Sequence, residues 1–335
     1  MKFIDLFAGI GGFRLAFENV GFQCLFSSEI NKACQEVYNN NFNDIPFGDI
    51  RDLNPEKIED FDVLVAGFPC QPFSICGKKR GFEDTRGTLF FEICRILEIK
   101  QPNIIVLENV KHLIYHDRGN TLKVILHSLK KLGYNVTYKI LNAKDFGVAQ
   151  HRERIFIIGT KSQEFNFSNL PTKITPKLRD FLEKEGNFEW LDKSEYTLIN
   201  SPCQQASGLL FVGYRNKGTW KTGVRPNTEH LSRVHRQPNR IYSIDGVHPT
   251  LPSQETSGRF FIYIPEKDRV RKLTLKECYR VMGFPETFKS HPNASESYKQ
   301  IGNSICVPVA EAIAKEIIHQ NRLYNNSDKP QTKIE

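Results

Sequence analysis

Residues 1–30 read MKFIDLFAGIGGFRLAFENVGFQCLFSSEI. An apolar run, Phe3–Phe7, leads straight into a glycine-rich turn, a helical pattern over Leu15–Val20 and a second apolar run, Cys24–Ser28. Strand, glycine turn, helix and strand make one βαβ unit. Its glycines let a ligand approach the backbone beside a helix N-terminus. The alternation continues outward to Thr160. Val63–Gly67, Ile104–Leu107, Val136–Leu141 and Ile155–Ile158 read as strands, and Lys32–Asn39, Leu89–Glu98 and Leu122–Leu132 as amphipathic helices. This pattern predicts an α/β fold, an open doubly wound sheet that binds ligands at the carboxyl ends of its strands.

After Thr160 the alternation stops. From Lys161 to about Pro265 the chain is polar and irregular, with short β-like runs at Arg240–Ser243 and Phe260–Ile264. It reads as a separate, loop-rich module. A helical pattern returns at Leu275–Met282, a last helix is expected from Pro308 to Gln320, and the polar tail after Arg322 is expected to fray. The 335 residues hold 46 basic and 38 acidic side chains, a formal charge of +8. That excess is compatible with a polyanionic partner without establishing one. None of the eight cysteines stands in a C-x-x-C pair, which leaves zinc and thioredoxin-like sites unsupported. No run is long enough to span a membrane, and Asp5 and Arg14 break the apolar N-terminus, which argues against a signal peptide.

Four motifs fall at the ligand edge of the expected sheet. The first is Asp5-Leu6-Phe7-Ala8-Gly9-Ile10-Gly11-Gly12, whose spacing departs from the G-x-G-x-x-G dinucleotide fingerprint. Glu29 ends the second strand, where an acid can accept from ribose hydroxyls, and Asp49 can receive an adenine amine. Taken alone these are weak signals, because a glycine turn is more often plain turn chemistry. The second motif, Gly67-Phe68-Pro69-Cys70-Gln71-Pro72-Phe73-Ser74, follows a buried strand and is much stronger. A buried inert thiol rarely needs flanking prolines, whereas a nucleophile needs such rigid placement. In the third, Glu108-Asn109-Val110, a carboxyl group at a buried strand end should have a raised pKa and can hold a proton; capping the next helix is the bland alternative. The fourth, Gln150-His151-Arg152-Glu153-Arg154, is expected to aim Arg152 and Arg154 the same way from one strand face, unless they form a surface ladder with Glu153.

In this order and spacing, and with Arg271-Lys272-Leu273-Thr274, Glu277, Arg280, Gly283-Phe284-Pro285 and Gln300-Ile301-Gly302-Asn303-Ser304 downstream, the chain resembles the bacterial DNA cytosine-5 methyltransferases of restriction-modification systems. The resemblance runs from Phe3 to about Ala314 and is broken only in the polar middle. It implies an S-adenosylmethionine-dependent, Rossmann-like sheet domain over 1–176, completed by 296–322, with a target-recognition domain and hinge over 177–295 and a polar tail over 323–335. It implies that Cys70 attacks the base, Glu108 donates to ring nitrogen 3, Arg154 holds the oxygen at position 2, and Arg152 orients the Cys70 loop and a phosphate. S-adenosylmethionine would be held by Phe7, Ile10, Gly12, Glu29, Ile30, Asp49, Ile50, Pro69, Leu89, Asn303 and Ile305, the last two folding back beside the first strand.

The partner implied is double-stranded DNA, touched by Ser74, Thr250 and the arginines of the middle. There Arg215, Lys217, Lys221, Arg225, Arg233, Arg236 and Arg240 stand against Glu229 alone, interleaved with Tyr214, Trp220, His230 and His235. The enzyme is expected to be a monomer in the bacterial cytosol, associated with the nucleoid, without a membrane and without a stable complex with any cognate restriction endonuclease. Three other functions fit less well. A tRNA-methylating relative usually has a smaller recognition region. A silent DNA-binding paralogue would not need Cys70, Glu108, Arg152 and Arg154 together. A nicotinamide enzyme fails on the glycine spacing.

Overall fold

In the computed structural model the described residues are 1–69, 89–216, 227–253 and 260–327. The first half follows the expected alternation: β1 (Lys2–Leu6), α1 (Gly12–Glu18), β2 (Gln23–Ser28), α2 (Lys32–Phe42), β3 (Val63–Gly67), α3 (Leu89–Lys100), β4 (Ile104–Val110), α4 (Asn120–Lys131), β5 (Asn135–Asn142), β6 (Gln150–His151) and β7 (Glu153–Thr160). Six of the strands form one sheet in the order β2-β1-β3-β4-β7-β5. β1 runs parallel to both β2 and β3, and β3 parallel to β4, while β7 is antiparallel to β4. Strand order reverses between β1 and β3. The glycine turn leaves the carboxyl end of the first and the GFPCQPFS segment follows the second, so both motifs start from the switch point where open α/β sheets take their ligands.

β3 and β4 are apolar on both faces because both faces are covered. On one side Phe90, Ile93, Ile96 and Leu97 of α3 and Leu122, Ile125 and Leu129 of α4 share a core with Ile4, Leu64, Ile105, Leu107, Ile155 and Ile157. Each such side chain contributes about 1.5–3 kcal/mol on burial. On α3 and α4 these residues recur at helical spacing, which is why the sequence pattern located both helices.

The chain forms two compact units. One comprises Met1–Leu141, Glu153–Pro171 and Val309–Glu335, the other Asn142–Arg152 and Thr172–Pro308. Relative to the expected boundaries, residues 142–152, 172–176 and 296–308 all group with the second unit instead of the first. Hydrogen bonds within the second unit account for this. Arg152 donates to the carbonyls of Gly302 and Ser304, and Val307 N–H donates to the Met282 carbonyl.

The second unit carries more strand than its polar texture predicts. β8 (Tyr196–Gln204), β9 (Leu210–Arg215), β10 (Arg240–Ser243), β12 (Phe261–Ile264) and β13 (Arg269–Lys272) form a sheet in the order β13-β12-β10-β9-β8, while β11 (His248–Pro249) pairs with β6. Its core is small: Tyr196, Val212, Ile241, Phe261 and Val270. α5 (Leu275–Arg280) starts at a capping box between Thr274 and Glu277, and α6 (Ala294–Asn303) at the cap Asn293. Glu277 also grips Arg271 through two hydrogen bonds of 2.8 and 2.7 Å with both side chains buried. The final helix, α7 (Val307–Ser327), continues past Arg322 instead of fraying there. No glycine or proline intervenes before Pro330, and extending a nucleated helix adds one hydrogen bond per residue fixed. No described helix is long and apolar enough to cross a membrane.

Candidate active site

The glycine turn is built around left-handed backbone. Phe7 leaves β1 at φ 56°, outside the strand expected to contain it, and Gly9 and Gly11 follow at 57° and 86°. A non-glycine residue in that region costs of order 1–3 kcal/mol and persists where surrounding structure enforces it. Gly11 is required twice over, since a Cβ there would lie 2.2 Å from the Phe42 ring. Glu29, just past β2, binds the turn: its Oε2 accepts from Gly9 N–H at 2.8 Å and its Oε1 from Asn31 N–H at 2.8 Å. A carboxylate has about four acceptor sites, so further donors can still be met. Next to it Ile30 is 62% exposed, unusual for isoleucine, while Ile10 and Ile50 are buried. Asp49 is already engaged, because its carboxylate holds the Arg51 guanidinium, and those hydrogen bonds pull its pKa down to about 2.

Beneath the turn lies Asp5, fully buried, and no side chain among the described residues hydrogen-bonds either of its oxygens. Burial raises its pKa well above the usual carboxylate range, against the opposing pull of Arg14.

Cys70 and Ser74 lie outside the described residues, as does Arg225. The flanking frame is described. The β3–β4 register sets Gly67 opposite Glu108, three residues before Cys70 in the chain. Glu108 in turn pairs with Arg154 across the β4–β7 edge, Nε to Oε1 3.2 Å, with both side chains largely buried at 13% and 17% exposure. The two groups expected to act on one base are thus adjacent. Asn109, to which the sequence pattern assigns no role, is buried, and its Nδ2 donates to the Phe68 carbonyl at 2.8 Å. Pro69 is exposed, and Leu89 opens α3. Burial pushes the thiols of Cys24 and Cys94 up to about 12, so neither supplies a thiolate at neutral pH.

Arg152 and Arg154 do not share one unbroken strand, and each holds its own partners. The strand breaks at Arg152, because Gln150 and His151 pair with His248 and Pro249 while β7 begins only at Glu153. Arg152 is 2% exposed and donates to the carbonyls of Leu251 at 3.3 Å, Gly302 at 3.0 Å and Ser304 at 2.7 Å. It therefore ties the QHRER motif to the Thr250-Leu251 pair and to the QIGNS motif. Thr250 Oγ1 donates to the His151 carbonyl at 2.7 Å, and Leu251 N–H to Gln150 Oε1 at 3.0 Å. Gly302 cannot be replaced here, since a Cβ would sit 1.9 Å from the Pro252 carbonyl oxygen. Asn303 ends α6 and Ile305 is buried after it.

The arginines of the polar middle separate into two kinds. Arg215 pairs with Glu195 at 3.3 Å and lies over the Phe261 ring at 4.7 Å. Arg240 donates twice to the His235 carbonyl, at 3.2 and 3.0 Å. His235 is itself stacked on Tyr214, ring centroids 4.2 Å apart. Arg233 and Arg236 are exposed, and no described residue pairs with either. Sequence alone could not sort these four, since exposure depends on which strand each flanks.

Comparison with known proteins shows likeness over nearly the whole chain. The family model for C-5 cytosine-specific DNA methylase matches residues 1–319. The chain is 40% identical over 330 residues to the Type II methyltransferase M.HhaI of Haemophilus parahaemolyticus, covering 95% of this chain and 94% of that protein. It is 41% identical over 315 residues to the Type II methyltransferase M.NgoBI of Neisseria gonorrhoeae, covering 94% and 92%. Among solved structures, the S. pombe Dnmt2 methyltransferase superposes with a TM-score of 0.68 at 21% identity over 96% of this chain and 99% of that one, a likeness of fold.

Proposed function

The chain belongs to the C-5 cytosine-specific DNA methylase family and is a DNA cytosine-5 methyltransferase of the restriction-modification type; from that premise we propose how its own residues divide the reaction. Cys70 is the nucleophile. Carbon 5 of cytosine is too weak a nucleophile to take a methyl group unaided. Addition of the Cys70 thiolate at carbon 6 breaks the 5,6 double bond and sends its electron pair toward carbon 5 and the ring's nitrogen 3 and oxygen. Glu108 delivers a proton to nitrogen 3, and Arg154 holds the oxygen at position 2. In a site closed to water such contacts stabilise developing charge far more than they would in bulk solvent. Once carbon 5 is alkylated, loss of its proton to a base and return of the nitrogen 3 proton to Glu108 restore the 5,6 double bond as Cys70 leaves by elimination. The target base is stacked in a duplex, so it must be flipped out, at a cost of a few kcal/mol.

The observation that carries this assignment is the Glu108–Arg154 pair at 3.2 Å, set opposite Gly67 at the strand end that leads to Cys70. We assign S-adenosylmethionine as the donor, which supplies an electrophilic methyl group. The residues of the first unit fit it: Glu29 retains acceptor capacity for ribose hydroxyls, Ile30 offers an exposed apolar face for adenine, and Gly9 leaves open space where a Cβ would meet nothing within 4 Å. Phe7, Ile10, Gly12, Asp49, Ile50, Pro69 and Leu89 complete that set, and Asn303 and Ile305 keep the role the resemblance gives them. Arg51 must share or release Asp49 for the adenine amine to reach it. Arg152 orients the Cys70 segment, and Ser74, Thr250 and the exposed arginines of the second unit contact DNA. The enzyme acts as a monomer, without a stable complex with an endonuclease.

A duplex with 5-fluorocytosine at the target tests this assignment, because fluorine replaces the proton that must leave and freezes the adduct. Wild type should form a covalent complex, and Cys70→Ser should form none while still binding S-adenosylmethionine. A full-strength adduct in Cys70→Ser would refute the assignment. Bisulfite sequencing of DNA from expressing cells, with tRNA methylation assayed in parallel, identifies the product and the recognised site.

A further inference from the structure

We infer that Asn109 is a positioning residue that fixes the root of the nucleophile segment, a role resting on the assignment of Cys70 above. The β3–β4 ladder ends at Gly67 opposite Glu108. One residue later, the Phe68 carbonyl has left the register of the sheet, and a buried carbonyl without a donor is costly. Asn109, 3% exposed, supplies the donor: its Nδ2 reaches the Phe68 oxygen at 2.8 Å, while its own Oδ1 accepts from Val110 N–H at 2.8 Å. Both halves of one amide are thereby used, one on each strand end, so the side chain extends the pairing past the last backbone bond. The Phe68 ring is buried against Phe90, centroids 5.8 Å apart. Ring and carbonyl together fix where the chain departs toward Pro69 and Cys70.

Only an amide suits this position. A carboxylate has the same shape but no donor, and would face the Phe68 oxygen with like charge. Displacement of a reacting group by about 1 Å can cost roughly 100-fold in rate. The role therefore shows in the rate of attack by Cys70 and not in ligand affinity.

Asn109→Asp and Asn109→Ala, in the full-length enzyme, are compared with wild type by the first-order rate of adduct formation on the 5-fluorocytosine duplex, by S-adenosylmethionine titration and by duplex binding. Both variants should slow adduct formation by roughly 10- to 100-fold while both dissociation constants stay within about 3-fold, less than 1 kcal/mol. For Asn109→Asp the deficit relative to wild type should narrow as pH falls from 8 to 6, because the introduced acid regains a donor on protonation and burial favours that neutral form. If Asn109→Asp does not fold, Asn109→Ala carries the test. Adduct rates within 2-fold of wild type in a folded variant would overturn the inference, and so would a loss of S-adenosylmethionine binding in proportion to the rate. Adduct formation that survives Cys70→Ser would instead overturn the assignment on which the inference rests.

Discussion

Replacing Arg152 with methionine keeps most of the buried stem and removes every donor. The guanidinium bonds to Gly302 and Ser304 at 3.0 and 2.7 Å, and a longer one to Leu251 at 3.3 Å, would be lost from a site 2% exposed. Hydrogen bonds from a charged donor contribute about 1.5–3 kcal/mol each, and the carbonyls left behind pay a desolvation penalty. Counting the two short bonds fully and discounting the long one, the loss is about 3–6 kcal/mol. For a unit of roughly 150 residues, each kcal/mol lowers Tm by about 2–4 °C, so Arg152→Met should melt about 6–24 °C lower. Gly302→Ala, whose Cβ would strike the Pro252 carbonyl at 1.9 Å, should act on the same turn and melt lower by a similar amount. Calorimetry gives the stability, and single-turnover methylation at 25 °C, where each variant is still folded, gives the rate. A shift under about 2 °C with a hundredfold loss of rate would refute the scaffold role and leave Arg152 acting directly on DNA or on the Cys70 segment.

Three further outcomes are expected. Glu108→Gln should cut turnover by about 100-fold or more with little change in Tm, since an amide can donate to nitrogen 3 but cannot deliver a proton; normal turnover with a large loss of stability would make Glu108 a structural residue. Arg233→Ala and Arg236→Ala should leave Tm unchanged and lower kcat/KM on the cognate duplex by about 1–3 kcal/mol if they read bases, whereas Arg215→Ala and Arg240→Ala should lower Tm first, because both guanidinia are already bound within the module. The last concerns His248, whose pKa burial pushes down to about 4 from its usual 6.5. The unfolded chain then binds the proton more tightly than the native one, so stability present above pH 6.5 drains away as pH falls toward 4, by roughly 3 kcal/mol in all. Denaturant titrations across that window should show this slope in wild type and lose it in His248→Gln; an unchanged slope would assign the acid sensitivity to other groups.

The first unit was legible because its signals are local. β3 and β4 are continuous apolar runs, α3 repeats Leu89, Ile93 and Leu97, and the chemical motifs follow strands whose ends can be located from the same runs. Glu108 and Arg154 could be paired in advance only through the resemblance, because the register joining β4 to β7 crosses more than forty residues of chain and leaves no periodic mark. The second unit was harder for a different reason. β8 reads YTLINSPCQ and buries little beyond Tyr196, so its period-2 pattern is masked by polar residues on both faces. Such a sheet is held by its ladder, by the buried Arg271–Glu277 pair and by stacked rings such as Tyr214 on His235, none of which appears as hydrophobic periodicity.

The same difference explains where the sequence pattern misjudged individual side chains. Arg215 and Arg240 look like Arg233 and Arg236 in a list of basic residues, and only the neighbouring strands decide which are bound within the module. Arg152 looks like a partner for Arg154 because two residues along a strand return to one face. The strand expected to carry both is interrupted at Arg152, whose guanidinium is held by the Gly302 and Ser304 carbonyls. Asn109 went unassigned because its work begins where regular structure stops: it satisfies the first carbonyl that the β3–β4 ladder leaves behind. In a doubly wound sheet those first unpaired positions lie at the carboxyl edge, where ligands bind, so side chains that close the ladder there also shape the site. The sites least visible in the pattern of strands are therefore the ones the ends of strands create.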